Sequence, residues 1–139
     1  MVASRTGKHF GRSRGQREEG RYQLTGRGLT MPPEAEKTRR EFLEETVRQN
    51  PDNTFARYGL ALELAKGEPA VAWTHFEYLL VHHPEYSATY FQAGTFLAKQ
   101  GRLDEARQVL STGLEVTRRQ GKRHAQTELQ AALDELDAS

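Results

Sequence analysis

Two stretches of this chain say nearly the same thing: ARYGLALELAKGEPAVAWTHFEYLLVHHPEY and, later, TYFQAGTFLAKQGRLDEARQVLSTGLEVTRR. Gly67 and Gly101, Ala72 and Ala106, and Phe76 and Leu110 each stand 34 residues apart. A period near that length marks a helix-turn-helix unit that buries its apolar face only by stacking on copies of itself. One spacing departs from it. Pro51 and Pro84 are 33 apart, because Lys66-Gly67 in the first stretch faces Lys99-Gln100-Gly101 in the second. The missing residue falls in the turn between helices, where a deletion costs least.

The apolar pattern within each stretch is helical. Leu60 and Leu64, with Ala61 and Ala65, recur at i and i+4, and Phe76, Leu79 and Leu80 recur at i, i+3 and i+4, so each forms one apolar stripe. Small residues count as much as large ones. Gly94 and Ala106 leave room for two antiparallel helices to approach closely, with Trp73 and Tyr90 filling the spaces beside them. Asp52, Asn53 and Ser87 are suited to accept from free N–H groups at helix starts, Pro69 to a first helical turn, and Gly67 and Gly101 to the inter-helix turns. Near the C-terminus Leu129, Ala132, Leu133 and Leu136 form one more stripe without the repeat pattern, which predicts a helix over about 122–137 capping the open end of the stack.

On these residues the chain resembles the tetratricopeptide repeat family over about residues 34–137. In the second unit Tyr90, Ala93, Gly94, Leu97, Gly101, Ala106, Leu110 and Gly113 stand where that family places its aromatic, small and apolar signature residues. In the first unit Arg57 takes the aromatic position, which weakens its packing signal, while Ala61, Leu64, Ala72, Phe76 and Leu79 keep the rest. The resemblance implies an all-α superhelix of paired helices, with full repeats at about 54–86 and 87–120. EFLEETVRQNPDN then reads as the second helix of a unit whose first helix is absent.

The same resemblance implies a function. In this family the first helix of each unit lines a concave groove, which would place Phe55, Tyr58, Leu62 and Lys66 of the first unit and Ala88, Phe91, Thr95 and Lys99 of the second in a peptide-binding groove. Rings and aliphatic groups flanked by two lysines suit an extended or helical peptide of acidic character. The competing reading is that Phe55 or Phe91 packs on a neighbouring helix or on the cap. A carboxylate clamp for chaperone tails is disfavoured, since it needs Lys and Asn where this chain has Tyr58 and Leu62.

Charge divides the chain more sharply than its net +1. Residues 1–30 carry seven Lys or Arg and two Glu, leaving thirteen basic and seventeen acidic groups for residues 31–139. The basic segment, rich in Gly and Arg and poor in apolar residues, is expected to be disordered through residue 33. Its Arg-Gly pairs with Phe10 and Tyr22 offer a second reading, a nucleic-acid-associated adaptor, against an inert tail or a start upstream of a true initiator at Met31. A second basic run, Arg118, Arg119, Lys122, Arg123 and His124, is read first as stabilising a helix C-terminus and second as a site for an acidic partner or phosphate.

Nothing in the sequence points to catalysis. It has no phosphate-binding loop, nucleophile elbow or H-E-x-x-H pair, so the expectation is no enzyme, no catalytic residue and no cofactor. His75 and His82 lie seven apart and His82 and His83 face different ways, so no metal site is expected. With no cysteine and no run of about 18 apolar residues, the chain is read as cytoplasmic with no membrane partner.

Overall fold

The computed structural model describes residues 23–25, 28–30 and 33–138. Most of the basic segment, and so most of the expectation of disorder, lies outside them. Within that segment β1 (Gln23–Thr25) and β2 (Gly28–Thr30) pair antiparallel, Leu24 opposite Leu29. Six helices follow among the described residues: α1 (Pro33–Gln49), α2 (Thr54–Leu64), α3 (Pro69–His82), α4 (Ala88–Lys99), α5 (Leu103–Gln120) and α6 (Arg123–Ala138). The chain divides into two compact units, residues 1–42 and 43–139.

In the second unit α2 packs on α3, α4 on α5 and α5 on α6, and the pairs are joined where α3 meets α4 and α4 meets α6. This is a stack of antiparallel helix pairs with a last helix covering the end. Leu60, Ala61 and Leu64 of α2, Ala72 and Phe76 of α3, Ala93, Phe96 and Leu97 of α4, and Ala106 of α5 close one core cluster. Tyr90, Leu110, Val116, Leu129 and Leu133 close the next, so the apolar stripe of α6 serves as its final layer. Leu43 and Val47 of α1 rest on the first cluster, Leu43 lying 3.6 Å from where a Cβ on Gly59 would stand. Trp73 stacks on Phe96 with centroids 6.4 Å apart and receives the Arg102 guanidinium at 4.8 Å.

The turns explain the irregular spacing. Gly101 (φ +80°) and Gly121 (φ +70°) adopt the left-handed conformation and end α4 and α5, with Arg102 N–H donating to Leu97 O and Lys122 N–H to Thr117 O. Only glycine enters that region without strain. Gly67 does not: along the interval from Leu64 to Ala72, one residue shorter than that from Leu97 to Ala106, Glu68 N–H donates to Leu64 O at 2.7 Å, with no left-handed residue. The helix starts are mixed too. The Asn53 side chain accepts from Ala56 N–H at 2.9 Å and Pro69 opens α3. Ser87 makes no such cap and meets the Lys122 ammonium instead, while Asp52 accepts from the Tyr78 hydroxyl at 2.9 Å and pairs with His83.

Arg57, at the position the family gives to an aromatic, is held by polar contacts. It is only 9% exposed, and it donates to Pro51 O from Nε at 3.1 Å and from Nη2 at 2.5 Å. In the second repeat the Tyr90 hydroxyl donates to Pro84 O at 2.8 Å, across the same six-residue interval. Both side chains reach back to the carbonyl of a proline in the loop that precedes their helix. The area of the missing aromatic is recovered by Tyr78, whose ring centroid lies 3.7 Å from the Arg57 guanidinium carbon.

Candidate groove on the first helices of the repeats

The eight residues expected on one face of α2 and α4 separate into two groups. Leu62 near the end of α2, Lys66 in the turn after it, and Thr95 and Lys99 in the C-terminal half of α4 converge on a depression of about 230 Å³ together with Gln92 and Gln100. Its lining reaches the buried rings of Phe76 and Phe96. Thr95 directs its hydroxyl back to Phe91 O at 2.9 Å, so at this point it presents a methyl group. The Lys66 ammonium is steadied by Glu63 at 3.4 Å. Two ammonium groups beside two amides and an apolar floor can accept a carboxylate next to an apolar side chain.

The other four residues lie elsewhere. Phe55 is 74% exposed at the start of α2, and Ala88 is exposed at the start of α4. Tyr58 is half-buried, edge-on to Tyr86 with centroids 5.6 Å apart, and burial pushes its phenol above the ordinary value. Phe91 packs against the second core cluster, which is the competing reading set out for it above. None of the four lines the depression.

A second depression, of about 340 Å³, adjoins the first, since Thr95 and Lys99 line both. Its further lining is Ala98 of α4, Leu103 and Leu110 of α5, and Ala132, Glu135 and Leu136 of α6. The sequence reading missed this wall by treating α6 as a cap alone. The signal was present in Ala132 and Leu136, one turn apart on a helix whose buried layer is Leu129 and Leu133.

The remaining charged groups are largely engaged. In the run near the α5–α6 turn Arg118 pairs with Glu115 at 2.6 Å, Arg119 with Glu85 at 3.8 Å and His124 with Glu128 at 3.4 Å. Among the described residues no group of three or more His, Asp or Glu could hold a metal ion, and no helix is long and apolar enough to cross a membrane.

Comparison with known proteins agrees with this architecture. The family model for the tetratricopeptide repeat matches residues 63–133. The crystal structure of a tetratricopeptide repeat domain protein from Salinibacter ruber is 32% identical, with a TM-score of 0.59, over 63% of this chain and 98% of that one. A protein from Bordetella parapertussis is 30% identical in its solution structure, with a TM-score of 0.62, over 71% of this chain and 87% of that one. Among curated proteins none matches. The chain belongs to the tetratricopeptide repeat family, and its fold is the all-α repeat superhelix. Repeats of this family generally mediate protein–protein interaction, and the fold is typically a non-enzymatic interaction module.

Proposed function

We propose that this protein is an interaction module that binds a peptide segment of a partner in the paired depressions on α2, α4 and α6. The observation that carries the reading is the convergence of Lys66 and Lys99, from equivalent places in the two repeats, on a recess with an apolar floor. The segment it suits presents an acidic group to the lysines and a bulky apolar side chain to the neighbouring recess beside Ala98, Ala132 and Leu136. The module acts by holding that segment and has no chemistry of its own. Lack of cysteine suits work in the reducing cytoplasm.

The nucleic-acid alternative rested on the basic segment, most of which lies outside the described residues, and the ion pairs of Arg118 and Arg119 give it no added support. Selection of a random peptide display library on the full chain tests the main reading. Recovered sequences should combine Asp or Glu with a large apolar residue. They should bind the double variant Lys66→Glu, Lys99→Glu about tenfold or more weakly at low salt, mainly through slower association, and added salt should shrink the difference. Equal binding by a double variant that keeps its helical signal would move the site elsewhere. Phe91→Ala, in contrast, should act on stability, because that ring packs against the second core cluster.

A further inference from the structure

We infer that the first repeat contains an acid-sensitive lock between α2 and α3 that the second repeat lacks. Its centre is Arg57, buried between those helices and donating through Nη1 to His75 Nδ1 at 3.2 Å, besides its bonds to Pro51 O and its place over Tyr78. A guanidinium is always protonated and only donates, so His75 Nδ1 is the acceptor and carries no proton. The imidazole is therefore neutral when the lock is closed. Protonating it places an N–H against an N–H and a second cation beside a buried one, so either the ring or the guanidinium must leave the contact.

Groups from each neighbouring element bear on the balance. Burial, first, and the Arg57 charge, second, hold His75 below its ordinary value of 6.5, while Glu44 of α1 pulls the other way. Beyond the Tyr78 ring, Asp52 accepts from Tyr78 and pairs with His83 at 2.8 Å, and His82 lies against Tyr78 with centroids 4.3 Å apart. The hydrogen bonds from His83, first, and Tyr78, second, hold the Asp52 carboxyl below its ordinary value. The sign for His75 itself is fixed. The unfolded chain binds its proton first, so the contribution to stability is complete above pH 6.5 and is lost as pH falls towards the folded value.

The second repeat supplies an internal control. At the position of Arg57 it has Tyr90, at that of His75 it has Val109 and at that of Tyr78 it has Thr112. The same carbonyl bond is made there by an uncharged hydroxyl, whose pKa burial raises further from neutrality. Acid should therefore loosen the two repeats unequally.

Amide hydrogen exchange on the full chain at pH 7.5 and 5.5, expressed as protection factors so that the intrinsic pH effect cancels, reads this directly. Protection across α2 and α3 should fall with acidification, by up to about tenfold per pH unit for one linked proton, and more than across α4 and α5. His75→Gln, whose amide oxygen can still accept from Arg57, should remove the excess loss. Arg57→Tyr, which copies the second repeat, should reduce the excess and leave the part due to burial of His75. NMR titration of the unmodified chain should find the His75 imidazole ionising below 6.5. Equal loss in both repeats, an undiminished loss in a folded His75→Gln chain, or ionisation of His75 at or above 6.5 would each overturn the lock. Any effect on ligand binding rests on the groove reading. The exchange and titration results do not, so the two can fail separately.

Discussion

Phe76→Ala should cost about 3–5 kcal/mol, the largest single loss expected from a side-chain truncation in this chain. Phe76 is 1% exposed, packs on Phe96 with centroids 5.4 Å apart, and joins residues from α2, α3, α4 and α5 in one cluster. In a stack, each layer is held only by its neighbours, so a void there loosens the joint between repeats as well as one helix. The surrounding rings cannot collapse freely into the space, because Phe96 is also stacked on Trp73. Urea denaturation followed by circular dichroism should show a midpoint lowered by the equivalent of that loss. A change under about 1 kcal/mol would mean that the first cluster does not join the repeats as described.

The second large effect should come from one added methyl group, Gly113→Ala. Mid-helix, alanine is intrinsically better than glycine by about 1 kcal/mol, so without tertiary contact the change would stabilise. Here the new Cβ would stand 2.4 Å from Tyr90 Cβ and 2.8 Å from its Cγ. Those atoms are the stem of the side chain, and its hydroxyl is tied to Pro84 O, so a rotamer change gives no relief. Helices α4 and α5 must separate, which puts the net change at about 1–3 kcal/mol of destabilisation. At Gly94 the added Cβ would meet the Leu110 branch, Cδ2 at 2.4 Å and Cγ at 2.5 Å. That branch can turn, so Gly94→Ala should cost less. Thermal melts of the two variants test the order, and an unchanged or raised midpoint for Gly113→Ala would show that α4 and α5 are not in this close register.

These contacts show what was legible in the sequence. The repeat interval, the small residues at Gly94 and Ala106, and the stripe of α6 follow from helical periodicity, which sets which residues share a face, while Gly113 came with the family resemblance. Periodicity says nothing of what a loop lays over that face. The stripe Phe55, Tyr58, Leu62, Lys66 is continuous on a helical wheel, yet Tyr86 from the α3–α4 loop covers Tyr58 and only the C-terminal half of the stripe lines the depression. The contacts of Arg57 were hidden for a related reason. Residue type marks it as charged, whereas its role depends on a carbonyl six positions back and on Tyr78 across the helix pair. The proline at the same interval before Tyr90 is the clue that links them.

The central claim is that partner segments bind across the C-terminal halves of α2 and α4. Chemical-shift mapping of the isotopically labelled full chain with a peptide recovered by display tests it most directly. The account predicts that the backbone amides of Leu62, Lys66, Thr95 and Lys99 shift together, joined by Ala132 and Leu136 of α6. Shifts confined to residues 118–124, or to the outer faces of α3 and α5, would contradict it.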